Sequence, residues 1–300
     1  MKINAFQEQI PDIDKVLLDP IVRAYIQRTL TSVIGSLAQD DTQTLASRVL
    51  GVATSTPQKA YEQRANELLA GAGVTGATIS QALSGRAETI YQQVKQYVLP
   101  GSMLDLGCGD GKVGERFAQD GLEIILADVY KNANVDKTGL EFIQFSQDER
   151  VPTERQFDNT LLLTVLHHCD DPVAVLQDAR RLTKPDGRVA IIESVYGIPP
   201  AAVEPQYGGA SDAITKDFKL LTQEQQRLAG VFFDHFYNRV IHYSADEKTK
   251  VNVPFNFQTP QAWSRLFAKL GFEPIATQLL GIDQPTVPEY HTLSIIEVPK

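Results

Sequence analysis

Between residues 103 and 194, five short apolar runs alternate with helical segments, and this alternation limits the fold more than any other feature of the chain. The runs are MLDL (103–106), EIILAD (123–128), LEFIQF (140–145), DNTLLLTVL (158–166) and RVAIIES (188–194). Runs this short and this apolar read as strands, and strands that alternate with helices imply a parallel sheet covered on both faces. A well-marked helix separates the last two. Asp171 is its N-cap and Pro172 its first residue, Val173, Leu176, Ala179 and Leu182 face inward, and Pro185-Asp186-Gly187 makes the turn after it. Over about 195–258 the alternation stops. This stretch is rich in Pro, Gly and aromatics and reads as an insertion. The pattern resumes with a helix capped by Thr259-Pro260 and two closing strands, about 272–280 and 290–298.

The first hundred residues are helical in pattern. Ile21, Val22, Tyr25, Ile26, Val33, Ile34 and Leu37 recur at helical spacing, Thr56-Pro57 starts a second helix that Gly71 stops, and a further helix runs from about Arg86 to Val98. Two regions follow: residues 1–84, a helical cap or dimerisation region, and residues 85–300, the sheet domain carrying the insertion. The net charge of -9 lies entirely beyond residue 99. An acidic chain is a poor match for the phosphates of duplex DNA or structured RNA, so no nucleic-acid partner is expected. Neither a secretory signal nor an apolar run of membrane-spanning length is present, and Cys108 and Cys169 follow no metal or redox spacing. The expected setting is cytoplasmic, without a membrane partner.

The chemistry concentrates in MLDLGCGDGKVG, residues 103–114, where a strand runs into clustered glycines and then a helix. Such a loop lets a ligand approach backbone N–H groups at a helix N-terminus. Gly109, Gly111 and Gly114 satisfy GxGxxG, with Asp128 ending the next strand, so a nicotinamide-dependent oxidoreductase is one reading. Asp105 inside the strand end and Gly107 ahead of the other glycines point elsewhere. With these residues, with Asp128, with FDNTLLLTVLHHCDDP (157–172) and with LTKPDGRVAIIES (182–194), the chain resembles the class I S-adenosylmethionine-dependent methyltransferases of small-molecule type.

That resemblance implies a Rossmann-like α/β fold: a seven-stranded, mostly parallel sheet of order 3-2-1-4-5-7-6, its last strand antiparallel, with an N-terminal helical cap and a lid inserted after the fifth strand. It implies S-adenosylmethionine as cofactor, held by Asp105, Gly107, Cys108, Gly109, Asp128, Val129, Asp148 and Thr164. Asp128 would take the ribose hydroxyls, Asp105 the amino group and Asp148 the adenine end. A carboxylate suits the ribose because it accepts from two vicinal hydroxyls at once. The expected activity is methyl transfer to a small organic acceptor, on oxygen or carbon, by an enzyme that can form a homodimer. A non-catalytic cofactor-binding scaffold is the competing reading.

The sulfonium already activates the methyl group, so the protein mainly orients the acceptor and excludes water, with a base needed only for a protonated acceptor. His167 and His168, at the end of the fourth strand, are the candidates for that base. In the insertion, helical spacing puts His235, Arg239 and His242 on one side, and Arg239 and His242 are the candidate acceptor-side groups. A divalent metal there is the weaker reading, because His235 and His242 lie too far apart in sequence for a tight ligand pair without a third residue from elsewhere. No metal ligand is assigned.

Overall fold

Seven strands form one sheet in the order β3-β2-β1-β4-β5-β7-β6. They are β1 (Ser102–Leu106), β2 (Glu123–Asp128), β3 (Glu141–Gln144), β4 (Phe157–Leu163), β5 (Thr183–Ser194), β6 (Glu273–Gly281) and β7 (His291–Glu297). The computed structural model describes residues 12–37, 41–146, 149–202, 212–245, 251–284 and 286–300. Strands β3, β2, β1, β4 and β5 run parallel, and β7 pairs antiparallel with β5, as the sequence leads one to expect. Met103, Leu104, Leu126, Ala127, Leu161 and Leu162 are fully or almost fully buried. Strands apolar on both faces need helices on both sides, which is why the runs carry no polar alternation.

Parallel pairing brings the carboxyl ends of the strands to one edge. Asp105 lies opposite Leu126 on one side and Leu161 on the other. The chain turns away from β1 in both directions here, toward β2 and toward β4, and such a switch point opens a crevice for ligands. The Pro172–Leu182 helix starts as expected, the Asp171 side chain accepting from the Ala174 N–H at 3.1 Å. β5 differs from the expected run. It begins at Thr183, upstream of the Pro185-Asp186-Gly187 bend, because Thr183 already pairs with Phe157. The bend is tied to the end of the chain, the Asp186 N–H donating to the Val298 carbonyl at 2.8 Å.

The described residues divide into two units, one from Met1–Ser84, Val195–Thr259 and Gly281–Tyr290, the other from Gly85–Ser194, Pro260–Leu280 and His291–Lys300. The first is helical. Its Pro20–Gly35 helix is capped by Asp19, whose carboxyl accepts from Ile21 and Val22, and it buries Val22, Tyr25, Ile26, Leu30, Val33 and Ile34. Tyr25 meets Phe233 of the Gln223–His235 helix edge-on, 6.4 Å between ring centres. The insertion thus shares its core with the first 84 residues. The Thr56 hydroxyl does not cap the Gln58–Gly71 helix. It bonds back to the Val52 carbonyl of the preceding Thr42–Ser55 helix, and Pro57 takes the capping position. Among the described residues no helix is long and apolar enough to cross a membrane.

Candidate active site

In the sheet unit the loop after β1 is built by close approach. The Gly107 and Cys108 N–H groups both donate to the Ala127 carbonyl of β2, at 2.8 and 3.2 Å. Gly107 has φ 78°, and a Cβ there would lie 2.5 Å from Val165 Cγ2, so only glycine admits the segment after β4 this close. Gly111, at φ 74°, starts the Lys112–Ala118 helix. Gly109 has open space where a side chain would stand, which leaves its backbone approachable.

Two carboxyl groups flank this loop. Asp128 is half-buried, its Oδ2 accepting from the Gly109 N–H at 2.9 Å and its Oδ1 from the Tyr130 N–H at 3.2 Å. Burial holds its carboxyl above the usual range against the pull of these donors. Each oxygen keeps a further lone pair for a ligand hydroxyl. Val129, next to it, is 44% exposed, an apolar surface beside the acid. Asp105 is 1% exposed and accepts from the Gly114 N–H at 3.2 Å. Burial pushes its pKa up to about 7, with the negative charges of Asp128 and Asp110 adding to the rise. Burial likewise raises the Cys108 thiol, which is therefore no ready nucleophile. Asp148 lies outside the described residues.

After β4 the backbone is forced. Thr164 sits at φ 59°, its N–H donating to the Ile192 carbonyl, its hydroxyl to the Leu163 carbonyl at 2.6 Å, and it accepts from Arg86 Nη2 at 2.9 Å. A threonine in the left-handed region is held by its surroundings at some cost. His167 is 1% exposed, with Nδ1 2.6 Å from Glu193 Oε2, while Glu193 Oε1 accepts from the Val165 and Leu166 N–H groups at 2.9 and 2.7 Å. The His168 ring, half-buried, stands 4.0 Å from that of His167. The two neighbours therefore divide: His167 is buried in the turn, and His168 is the more exposed of the two. Cys169 donates its thiol to the Val165 carbonyl, and burial pushes its pKa up to about 12.

In the helical unit the segment after His235 is not a continued α-helix. Phe236–Ile241 is a π-helical turn, and its wider winding changes which side chains share a face. His235 and Arg239 meet on buried Glu62, His235 Nε2 at 3.1 Å and Arg239 Nε at 3.4 Å from Oε1. His242 goes elsewhere, its Nδ1 3.1 Å from where a Cβ on Gly76 would stand. The single face expected for His235, Arg239 and His242 is thus split. Among the described residues neither His235 nor His242 belongs to a cluster of three potential metal ligands.

Sequence reasoning missed Glu193, Arg86 and Glu62. Glu193 had a signal, an acid at the end of an otherwise apolar run. Arg86 and Glu62 had none, since each acts through a partner distant in sequence.

The chain belongs to the methyltransferases: a family model described as "Methyltransferase domain" matches residues 83–277. The ubiquinone biosynthesis O-methyltransferase of Dinoroseobacter shibae is 32% identical over 93 residues, 28% of this chain and 38% of that protein. The enzyme of the same name from Cereibacter sphaeroides is 37% identical over 93 residues, again 28% and 38%. The match spans about two fifths of the length of these curated relatives. Among solved structures, the 1,6-didemethyltoxoflavin-N1-methyltransferase of Burkholderia thailandensis has a TM-score of 0.45 at 17% identity, covering 73% of this chain and 79% of that one. A SAM-dependent methyltransferase of Methanosarcina mazei has a TM-score of 0.47 at 14% identity, covering 70% and 98%.

Proposed function

We propose that the protein transfers a methyl group from S-adenosylmethionine to a hydroxyl of a small organic acceptor and releases S-adenosylhomocysteine. The observation that carries this reading is the edge formed by Asp105, the 107–111 loop and Asp128 at the switch point of a sheet whose family is methyltransferase. The residues fit the cofactor: Gly109 leaves room for it, Asp128 has lone pairs for two ribose hydroxyls, and Asp105 is an acid within the same edge for an ammonium group. Oxygen is favoured over carbon because the relatives named above are O-methyltransferases.

When bound, the cofactor supplies an electrophilic methyl group that needs no further activation. The chain's own residues hold the partners in line and accept one proton. Val129 offers its exposed apolar surface to the adenine. Thr164, fixed by Arg86 just after β4, is a further contact for the cofactor. His168 takes the acceptor's proton, and His167, clamped by Glu193, sets the turn that presents it. Arg239 and His242 act on the acceptor side of the helical unit.

Calorimetric titration with S-adenosylhomocysteine tests the cofactor reading. Asp128→Ala should weaken binding by about 1–3 kcal/mol, the cost of leaving hydroxyls without their acceptor. Binding of NAD in place of S-adenosylhomocysteine would favour an oxidoreductase. Tight cofactor binding with no transfer of labelled methyl to any acceptor would favour a scaffold.

A further inference from the structure

The π-helical turn at Phe236–Ile241 needs a cause, because π winding is rare and a chain left to itself winds as an α-helix. The turn is closed by the His242 N–H, which donates to the Tyr237 carbonyl, five residues back, at 3.1 Å. Val240 and Ile241 are its last residues, and carbonyls at a helix end have no donor within the helix. Here a donor comes from outside. Asn66, half-buried on the Gln58–Gly71 helix, donates its Nδ2 to the Val240 carbonyl at 2.8 Å and reaches the Ile241 carbonyl at 3.5 Å. A side-chain amide suits this place, since its two N–H bonds can serve two successive carbonyls.

Asn66 stands one turn after Glu62 on the same helix, so the two share a face, about 6 Å apart along its axis. Glu62 meets the His235 and Arg239 side chains at 3.1 and 3.4 Å, and Asn66 takes the backbone one residue beyond Arg239. The segment is thus pinned at two successive residues, once by a side chain and once by a carbonyl. An α-helix would carry His242 back to the face of His235 and Arg239, because residues seven apart point nearly the same way at 3.6 residues per turn. His242 instead lies against Gly76, its Nδ1 3.1 Å from where a Cβ there would stand. We propose that Asn66 is a positioning residue: its amide holds the π winding, which keeps Arg239 on Glu62 while it turns His242 toward Gly76. Its bearing on the methyl acceptor rests on the acceptor-side role proposed for Arg239 and His242; its hold on the winding does not.

The test is NMR on the isotope-labelled, ligand-free, full-length protein. Asn66→Leu removes the donor at nearly the same volume, and Asn66→Asp keeps the shape but sets an acceptor against the two carbonyls. In the wild type an NOE should join the Gly76 α-protons to the His242 ring, and both variants should lose it. Exchange of the His242 amide should quicken in both by about three- to tenfold, the protection one hydrogen bond supplies. Leu69→Ala is the control for loosening alone: it empties a fully buried position on the same helix, and should lower the thermal midpoint while both signals stay. Absence of the NOE from the wild type, its survival in either Asn66 variant, or its loss in Leu69→Ala would overturn the proposal. If the Asn66 variants behave as expected while S-adenosylhomocysteine does not bind the wild type, the positioning role stands and the methyltransferase reading falls.

Discussion

In each unit of the molecule a buried glutamate meets a buried histidine, and these two pairs are stabilised differently. In the sheet unit Glu193 and His167 meet at 2.6 Å, with the carboxyl also accepting from two backbone N–H groups of the turn after β4. In the helical unit Glu62 and His235 meet at 3.1 Å, and Glu62 also meets a half-buried arginine, Arg239. Backbone donors cannot swing away to water when their acceptor is lost, whereas an arginine side chain can. The first pair therefore holds a turn in place, and the second joins side chains.

Substituting the two acids measures that difference. Glu193→Ala should cost about 3–5 kcal/mol in urea-induced unfolding, since it takes the acceptor from a buried imidazole, a buried N–H and a part-buried one. Glu62→Ala should cost less, about 1–3 kcal/mol, because Arg239 can reach solvent and burial already holds His235 below its ordinary pKa and so favours its neutral form. Equal costs, or a larger one at Glu62, would break the contrast.

The next contrast is in pH. Burial raises Asp105 to about 7 from 3.8, so the ligand-free fold binds a proton that the unfolded chain has released, and the stability this contributes is lost as pH rises from 3.8 through about 7. His235 works the other way: its pKa is lowered from 6.5, so stability is lost as pH falls below that value. Asp105 must ionise to hold an ammonium group. Affinity for S-adenosylhomocysteine should therefore fall as pH drops below about 7, by at most about tenfold per unit. Calorimetry from pH 5 to 8 follows it, and Asp105→Asn should flatten the profile. A wild-type affinity that is level across that range would remove Asp105 from the cofactor's ammonium.

These contrasts also show what the sequence could reveal. Strand β2 was legible to the residue, since EIILAD is apolar, short and bounded by turns. The glycine turn after β1 and the place of Asp128 at the end of β2 were legible because both depend on local spacing. The Thr42–Ser55 helix was not marked out, its pattern merging with its helical neighbours. Nor could the phase of 235–242 be read, because helical spacing assumes 3.6 residues per turn and a π turn abandons it. Glu62, Arg86 and Glu193 are defined by what folding brings to them, Glu193 by a turn some 26 residues earlier in the chain. Local pattern carries no information about such partners.

At glycine the two units part again, and one of the two substitutions, at Gly76, has the smallest expected effect. At Gly107 an alanine would be both left-handed and 2.5 Å from Val165, so Gly107→Ala should cost about 2–3 kcal/mol and weaken cofactor binding with it. Gly76 opens the Gly76–Ala82 helix behind its Thr75 cap. Its added Cβ would stand 3.1 Å from the ring of His242, an exposed side chain that can give way. Alanine is also the better helix former by up to about 1 kcal/mol. Gly76→Ala should therefore leave the urea midpoint unchanged or slightly raised. If it instead lowered methyl transfer while stability held, the position of the His242 ring would matter to turnover, and the acceptor-side role proposed for His242 would gain a direct measure.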